Sequence, residues 1–141
     1  MQQASASEPV VVLRDLRFTW PKRPAPVLAI EELRIGQGEQ LFLMGPSGSG
    51  KTTLLGILAG IIRPQQGKVT VLGRDIAALG GAARDRFRAD HIGFIFQMFN
   101  LIPYLSLVEN VTLPCRFSRL RKAEALRRSS DPGDESLRLL G

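Results

Sequence analysis

Residues 45–52 read Gly45-Pro46-Ser47-Gly48-Ser49-Gly50-Lys51-Thr52, which is the spacing Gly-x-x-x-x-Gly-Lys-Ser/Thr. A chain this long meets that pattern by chance on the order of once in a hundred. Each residue type has a task in it. Gly45, Gly48 and Gly50 let the backbone take conformations closed to other residues, so that successive N–H groups converge on anionic oxygens. Lys51 stands at the start of a helix, where its ammonium reaches the β- and γ-phosphates and the aligned peptide dipoles add positive potential. Thr52 offers a hydroxyl to a Mg²⁺ bridging the β- and γ-oxygens, and Thr53 is placed to donate to the α-phosphate. Pro46 completes the loop, and Ser47 and Ser49 either add hydroxyl donors or are simply small residues that fit a tight turn. The chemistry is binding of the triphosphate of ATP together with Mg²⁺.

Such a loop works only between a strand and a helix. Gln40-Leu41-Phe42-Leu43-Met44 supplies the first as an apolar run suited to a strand buried on both faces of a parallel sheet. Residues 52–62 supply the second, with an apolar stripe at Leu54, Leu55, Leu58 and Ile61 or Ile62, stopped by Pro64. Upstream, Val10–Leu13 and Leu16–Trp20 read as short strands broken at Arg14-Asp15. Pro21, Pro24 and Pro26 make a loop, residues 27–35 resume extended structure, and residues 36–39 form a turn. Downstream, Gly67 opens a turn into a strand at 68–72 that Gly73 breaks. A charged helix follows at 82–89, and a buried strand at 91–96. Ser106 and Glu109 form a capping box for a short helix that Pro114 closes. Residues 122–128 read as a helix, 129–134 as a polar loop, and 135–140 as the start of another helix. The alternation predicts one α/β layer domain with an antiparallel edge from the N-terminal strands.

Composition sets the outer bounds. At 141 residues the chain can bury a single core, and 44% hydrophobic with 23% charged residues is ordinary for a globular domain. Residues 1–9 are small and polar and are expected to be disordered, which leaves 10–141 as the domain. The one cysteine, Cys115, excludes an internal disulfide and reads as a small buried hydrophobe in a reducing compartment. No apolar run approaches the ~20 residues of a membrane-spanning helix. The net charge of +6 is spread among acidic residues, without the interleaved aromatics that would stack bases, so no nucleic-acid partner is expected.

The segment Ile92-Gly93-Phe94-Ile95-Phe96-Gln97-Met98-Phe99-Asn100-Leu101-Ile102-Pro103, followed by Glu109-Asn110-Val111, carries a family resemblance. With the phosphate loop it resembles the ATP-binding subunit of ABC transporters over residues 10 to about 115, most closely the lipoprotein-release and macrolide-export branch. The resemblance implies an ABC-type P-loop NTPase fold, with an antiparallel N-terminal β-subdomain and a partly parallel core sheet. It implies ATP hydrolysis coupled to transport, with Lys51 and Gln97 catalytic. Gln97 would be the Q-loop glutamine, which touches Mg²⁺ and the attacking water and links the nucleotide to membrane permease subunits docking nearby. Trp20 would be the aromatic residue that stacks on adenine, although a tryptophan packing the antiparallel sheet fits the same position. His91 precedes Gln97 and so does not match the family's switch histidine; it reads as a structural or surface residue. The implied setting is the cytoplasmic face of the membrane, with a second ATP-binding subunit completing a dimer.

The sequence departs from the family pattern at its end. Gly141 falls before the expected signature motif, and Asp131-Pro132-Gly133-Asp134-Glu135, in a polar turn, is no substitute for an Asp-Glu pair ending an apolar strand. The expectation is therefore a truncated, N-terminal portion of the domain that binds ATP better than it hydrolyses it and dissolves poorly alone. A non-hydrolysing nucleotide-binding fragment, and a nucleic-acid-associated P-loop ATPase suggested by the positive charge, are the alternatives.

Overall fold

The structure, a computed structural model, describes residues 8–95 and 101–129. The chain divides into two units, one running through Arg84 and one from Asp85 onward.

The first unit is organised by β1 (Pro9–Phe18), a single strand that pairs on both edges. β2 (Leu28–Gly36) lies antiparallel on one side and β3 (Gln66–Val71) antiparallel on the other, and the two-residue β4 (Arg74–Asp75) extends the sheet in the order β2-β1-β3-β4. Among the described residues the sheet is wholly antiparallel. The break expected at Arg14-Asp15 is an irregularity inside one strand. Asp15 takes φ 48°, and the β3 register slips between Arg14 and Arg17. Leu13 and Leu16, three residues apart, are consequently both fully buried, which strict alternation would forbid. Gly67 fits against this kink from within β3, not from a turn before it. A Cβ there would come within 2.6 Å of the Arg14 and Asp15 carbonyl oxygens. Leu13, Leu16, Phe18, Leu28, Val69 and Val71 make the buried face. Each such side chain contributes about 1.5–3 kcal/mol when fully removed from water.

The helix after the phosphate loop, α1 (Lys51–Leu58), is shorter than expected. Gly60 at φ 69° ends it four residues ahead of Pro64, and the Ile61 and Ile62 amides turn back to the Gly56 carbonyl at 2.8 and 3.0 Å. The buried apolar residues here are Leu54, Ile57 and Ala59, whereas Leu55 and Ile61 of the expected stripe are exposed. Leu72 (φ 49°) and Gly73 (φ 74°) form the two-residue turn of the β3–β4 hairpin.

Among the described residues two expected strands do not form, and Phe96, the last residue of the second, lies outside the described residues. Residues 40–44 make no ladder among the described residues, and Phe42 and Met44 are 84% and 82% exposed. His91 closes a helix, residues 92–95 have no regular structure, and Ile95 is 97% exposed. An apolar run becomes a buried strand only where neighbouring strands accept its backbone hydrogen bonds, and no described segment does so.

The second unit takes in most of α2 (Gly81–His91), with α3 (Leu107–Phe117) and α4 (Arg119–Ser129). The capping box forms as expected. Ser106 Oγ accepts from the Glu109 amide at 3.2 Å, and Glu109 Oε2 accepts from the Ser106 amide at 2.8 Å, which holds the Glu109 carboxyl below its ordinary range. Pro114 does not close the helix. α3 runs through it to Phe117, and the Pro114 carbonyl accepts from the Ser118 amide at 3.2 Å. Buried Ser118 then opens α4, accepting from the Arg121 amide at 3.1 Å while donating to Asp90 Oδ1 at 2.6 Å. Arg121 donates from Nε to the Ala89 carbonyl and from Nη2 to the Ile92 carbonyl, tying α4 to the end of α2.

Candidate functional site

The phosphate loop lies between β2 and β3 in sequence and opens directly into α1, with Gly50 as its N-cap at φ 91° and ψ 3°. Gly50 is buried, and a Cβ there would lie 2.8 Å from Leu28 Cδ2 and 3.0 Å from the Val27 carbonyl oxygen. The start of β2 therefore forms the floor under the loop, and only glycine fits against it. Among the described residues, the amides of Gly48, Gly50, Lys51 and Thr52 donate to no protein acceptor, so they remain available to an anion.

Lys51 folds back across this cradle. Its Nζ donates to the Gly45 carbonyl at 2.6 Å, the Pro46 carbonyl at 2.8 Å and Ser49 Oγ at 3.2 Å. All three ammonium protons are thus satisfied by the loop itself, which places the cation at the loop rather than out in solvent. Ser49 has a defined part as an acceptor for Lys51, whereas no contact gives Ser47 one. Thr52 is exposed at the first turn of α1, and Thr53, beside it, is 7% exposed.

Trp20 reaches this turn from the other side of the sequence. Its Nε1–H donates to Thr53 Oγ1 at 3.3 Å, and its ring meets Phe18 edge-on, with centroids 4.9 Å apart and planes at 90°. The ring is 42% exposed, so it is held at one edge and open elsewhere. The loop carrying it is tied down by Gln65, whose amide accepts from the Thr19 N–H at 2.9 Å and donates to the Thr19 carbonyl at 2.6 Å. Val27 N–H to the Phe18 carbonyl at 2.8 Å closes the loop's far end. Gln65 and the Val27–Leu28 floor carry no motif, and nothing in the sequence marks partners 46 residues apart.

The structure thus brings Trp20, Gly45–Gly50, Lys51, Thr52 and Thr53 into one region of the first unit. Gln97 and residues 131–135 lie outside the described residues. No three His, Cys, Asp or Glu side chains cluster as a metal site among the described residues, and no described helix is long and apolar enough to cross a membrane.

The family model for ABC transporters matches residues 29–139. The chain belongs to the ABC transporter family. It is 41% identical over 135 residues to the lipoprotein-releasing system ATP-binding protein LolD of Anaeromyxobacter dehalogenans, covering 94% of this chain and 55% of that protein. It is 41% identical over 110 residues to the macrolide export ATP-binding/permease protein MacB of Rhodopseudomonas palustris, covering 77% of this chain and 17% of that one. Among solved structures it is similar to the ATP-binding cassette MJ0796, a dimer in a post-hydrolysis state bound to ADP and Pi. The TM-score is 0.71 at 38% identity, over 76% of this chain and 47% of that one. The chain therefore has the α/β fold of ABC cassettes, and spans about half or less of the length of these relatives.

Proposed function

We propose that this chain is the nucleotide-holding part of an ATP-binding subunit that energises a membrane transport complex. One observation carries the reading: the Lys51 ammonium is bonded to the glycine loop in which the amides of Gly48, Gly50, Lys51 and Thr52 have no protein acceptor among the described residues, so free N–H dipoles and a fixed cation share one loop. Those residues fit a polyphosphate. Lys51 would exchange loop carbonyls for terminal phosphate oxygens, Thr52 would offer its hydroxyl to Mg²⁺, Thr53 would donate to the α-phosphate, and Trp20 would present its open ring face to the base. Mg²⁺, when bound, supplies charge neutralisation on the terminal phosphates. Gln97 remains the proposed partner of the metal and the attacking water.

The wider assignment draws on the relatives. One is a lipoprotein-releasing ATP-binding protein, another names ATP-binding and permease parts together, and the solved cassette is dimeric. By that likeness the complete subunit would pair with a second ATP-binding subunit and act at the cytoplasmic face of a membrane through permease partners.

Titration calorimetry with Mg-ATP on the chain and on Lys51→Ala tests the core of the reading. Loss of a charge-assisted contact of about 1.5–3 kcal/mol should weaken binding roughly ten- to 150-fold. Equal affinity in the two proteins would refute it.

A further inference from the structure

We propose that Trp20 is a positioning residue for Thr53, and that its indole N–H fixes the Thr53 hydroxyl as a donor toward the phosphate loop. This rests on the nucleotide reading above and goes beyond base stacking. A threonine hydroxyl has one proton and two lone pairs, and it rotates to suit its neighbours. The indole N–H, which can only donate, occupies one lone pair of Thr53 Oγ1 at 3.3 Å. No described group accepts the Thr53 proton, so that proton stays available to an acceptor at the loop. Thr53 is buried while Trp20 is partly open, so a single bond joins an interior hydroxyl at the phosphate loop to a ring at the surface. Phe18, edge-on at 90°, and the Gln65 clasp on Thr19 keep the ring from swinging away. Occupancy at the phosphate end is therefore felt at the ring, and the state of the ring is felt at the phosphate end.

Phenylalanine or tyrosine at position 20 would keep a stacking face and lose a donor at this place. The specific consequence of tryptophan is the link between the two ends of the site.

Trp20 is the chain's single tryptophan, so its emission reports this link alone. The test titrates the full chain with Mg-pyrophosphate, which has no base, and with Mg-ATP. It follows both indole emission and calorimetric binding in wild type, Thr53→Ser, Thr53→Val and Trp20→Phe. The expected result is an emission change on pyrophosphate binding in wild type and Thr53→Ser that disappears in Thr53→Val, while Mg-ATP still quenches all three. Trp20→Phe, read by calorimetry, should weaken pyrophosphate binding about two- to tenfold, the worth of one hydrogen bond, although pyrophosphate touches no ring. If pyrophosphate binds but emission is silent in wild type, or changes equally in Thr53→Val, the coupling is wrong and the nucleotide reading stands. Unchanged pyrophosphate affinity in Trp20→Phe overturns it also, independently of how Thr53→Val folds. If neither probe binds wild type, the nucleotide reading itself falls and the coupling with it.

Discussion

Replacing Gly50 with alanine tests whether the loop's shape is imposed by the floor beneath it. At φ 91° an L-residue carries the left-handed penalty of about 1–2 kcal/mol. The new methyl would also sit 2.8 Å from Leu28 Cδ2 and 3.0 Å from the Val27 carbonyl oxygen. Leu28 is buried at the start of β2, and a backbone oxygen cannot rotate aside, so overpacking adds about 1–3 kcal/mol. The total is about 2–5 kcal/mol. Gly48→Ala is the internal control, because Gly48 has φ 81° but no atom within 4 Å of the new methyl, leaving only the conformational cost of about 1–2 kcal/mol. Urea unfolding followed by far-ultraviolet circular dichroism gives both stabilities, and calorimetry with Mg-ATP gives the effect on binding. Gly50→Ala should be the less stable variant by about 1–3 kcal/mol, the overpacking difference. Equal losses would show that the floor does not shape the loop, and wild-type stability in Gly50→Ala would refute the packing argument altogether.

Leu72→Asn should stabilise the protein by about 0.5–1 kcal/mol in the same unfolding assay, because Leu72 takes φ 49° in a two-residue hairpin turn where asparagine is favoured. Ser118→Ala should cost about 2–3 kcal/mol, since it removes the cap of α4 and the 2.6 Å partner of the Asp90 carboxylate together. Glu124, which accepts from Arg127 and Arg128, has its carboxyl pulled down to about 2. A depressed folded value means support for α4 that is complete above the ordinary 4.5 and lost as pH falls toward 2. The helical signal of wild type should therefore exceed that of Glu124→Gln at pH 6 and converge with it near pH 2.

The glycine loop and the helix after it were legible because the signal is local: spacing alone orders the glycines, Lys51 and Thr52 at a helix start, and α1 begins there. The capping box at Ser106 and Glu109 was legible for the same reason. The interruption of alternation between Leu13 and Leu16 also showed in the sequence, but a bulge inside one strand and a gap between two strands leave the same mark there. The helix end at Gly60 lost out to the more conspicuous Pro64, since glycine stops a helix through a left-handed turn that composition does not announce. Pro114 misled in the opposite direction, because tertiary context carried α3 past a residue that usually breaks helices. The runs at 40–44 and 91–96 have the composition of buried strands, yet composition cannot supply the neighbours that would pair with them, and none do among the described residues. Gln65, the Val27–Leu28 floor and the Trp20–Thr53 bond were invisible, because each joins segments that meet only after folding.

β1 is hydrogen-bonded to β2 and to β3, and the chain between those two strands contains the phosphate loop and α1. Both ends of that excursion are anchored on one strand. The β1–β2 ladder can zip early from neighbouring sequence, whereas β3 must return across some thirty residues to find β1, so its arrival is the slow, non-local step. Seating β3 fixes the exit of the excursion and so draws the loop into shape. Linkage then runs in reverse: a ligand that prefers the shaped loop stabilises the docked strand by RT ln(1 + [L]/Kd). Amide exchange along Lys68–Val71, remote from the cradle in sequence, should slow when Mg-ATP is added, which makes the sheet itself a gauge of occupancy at the loop.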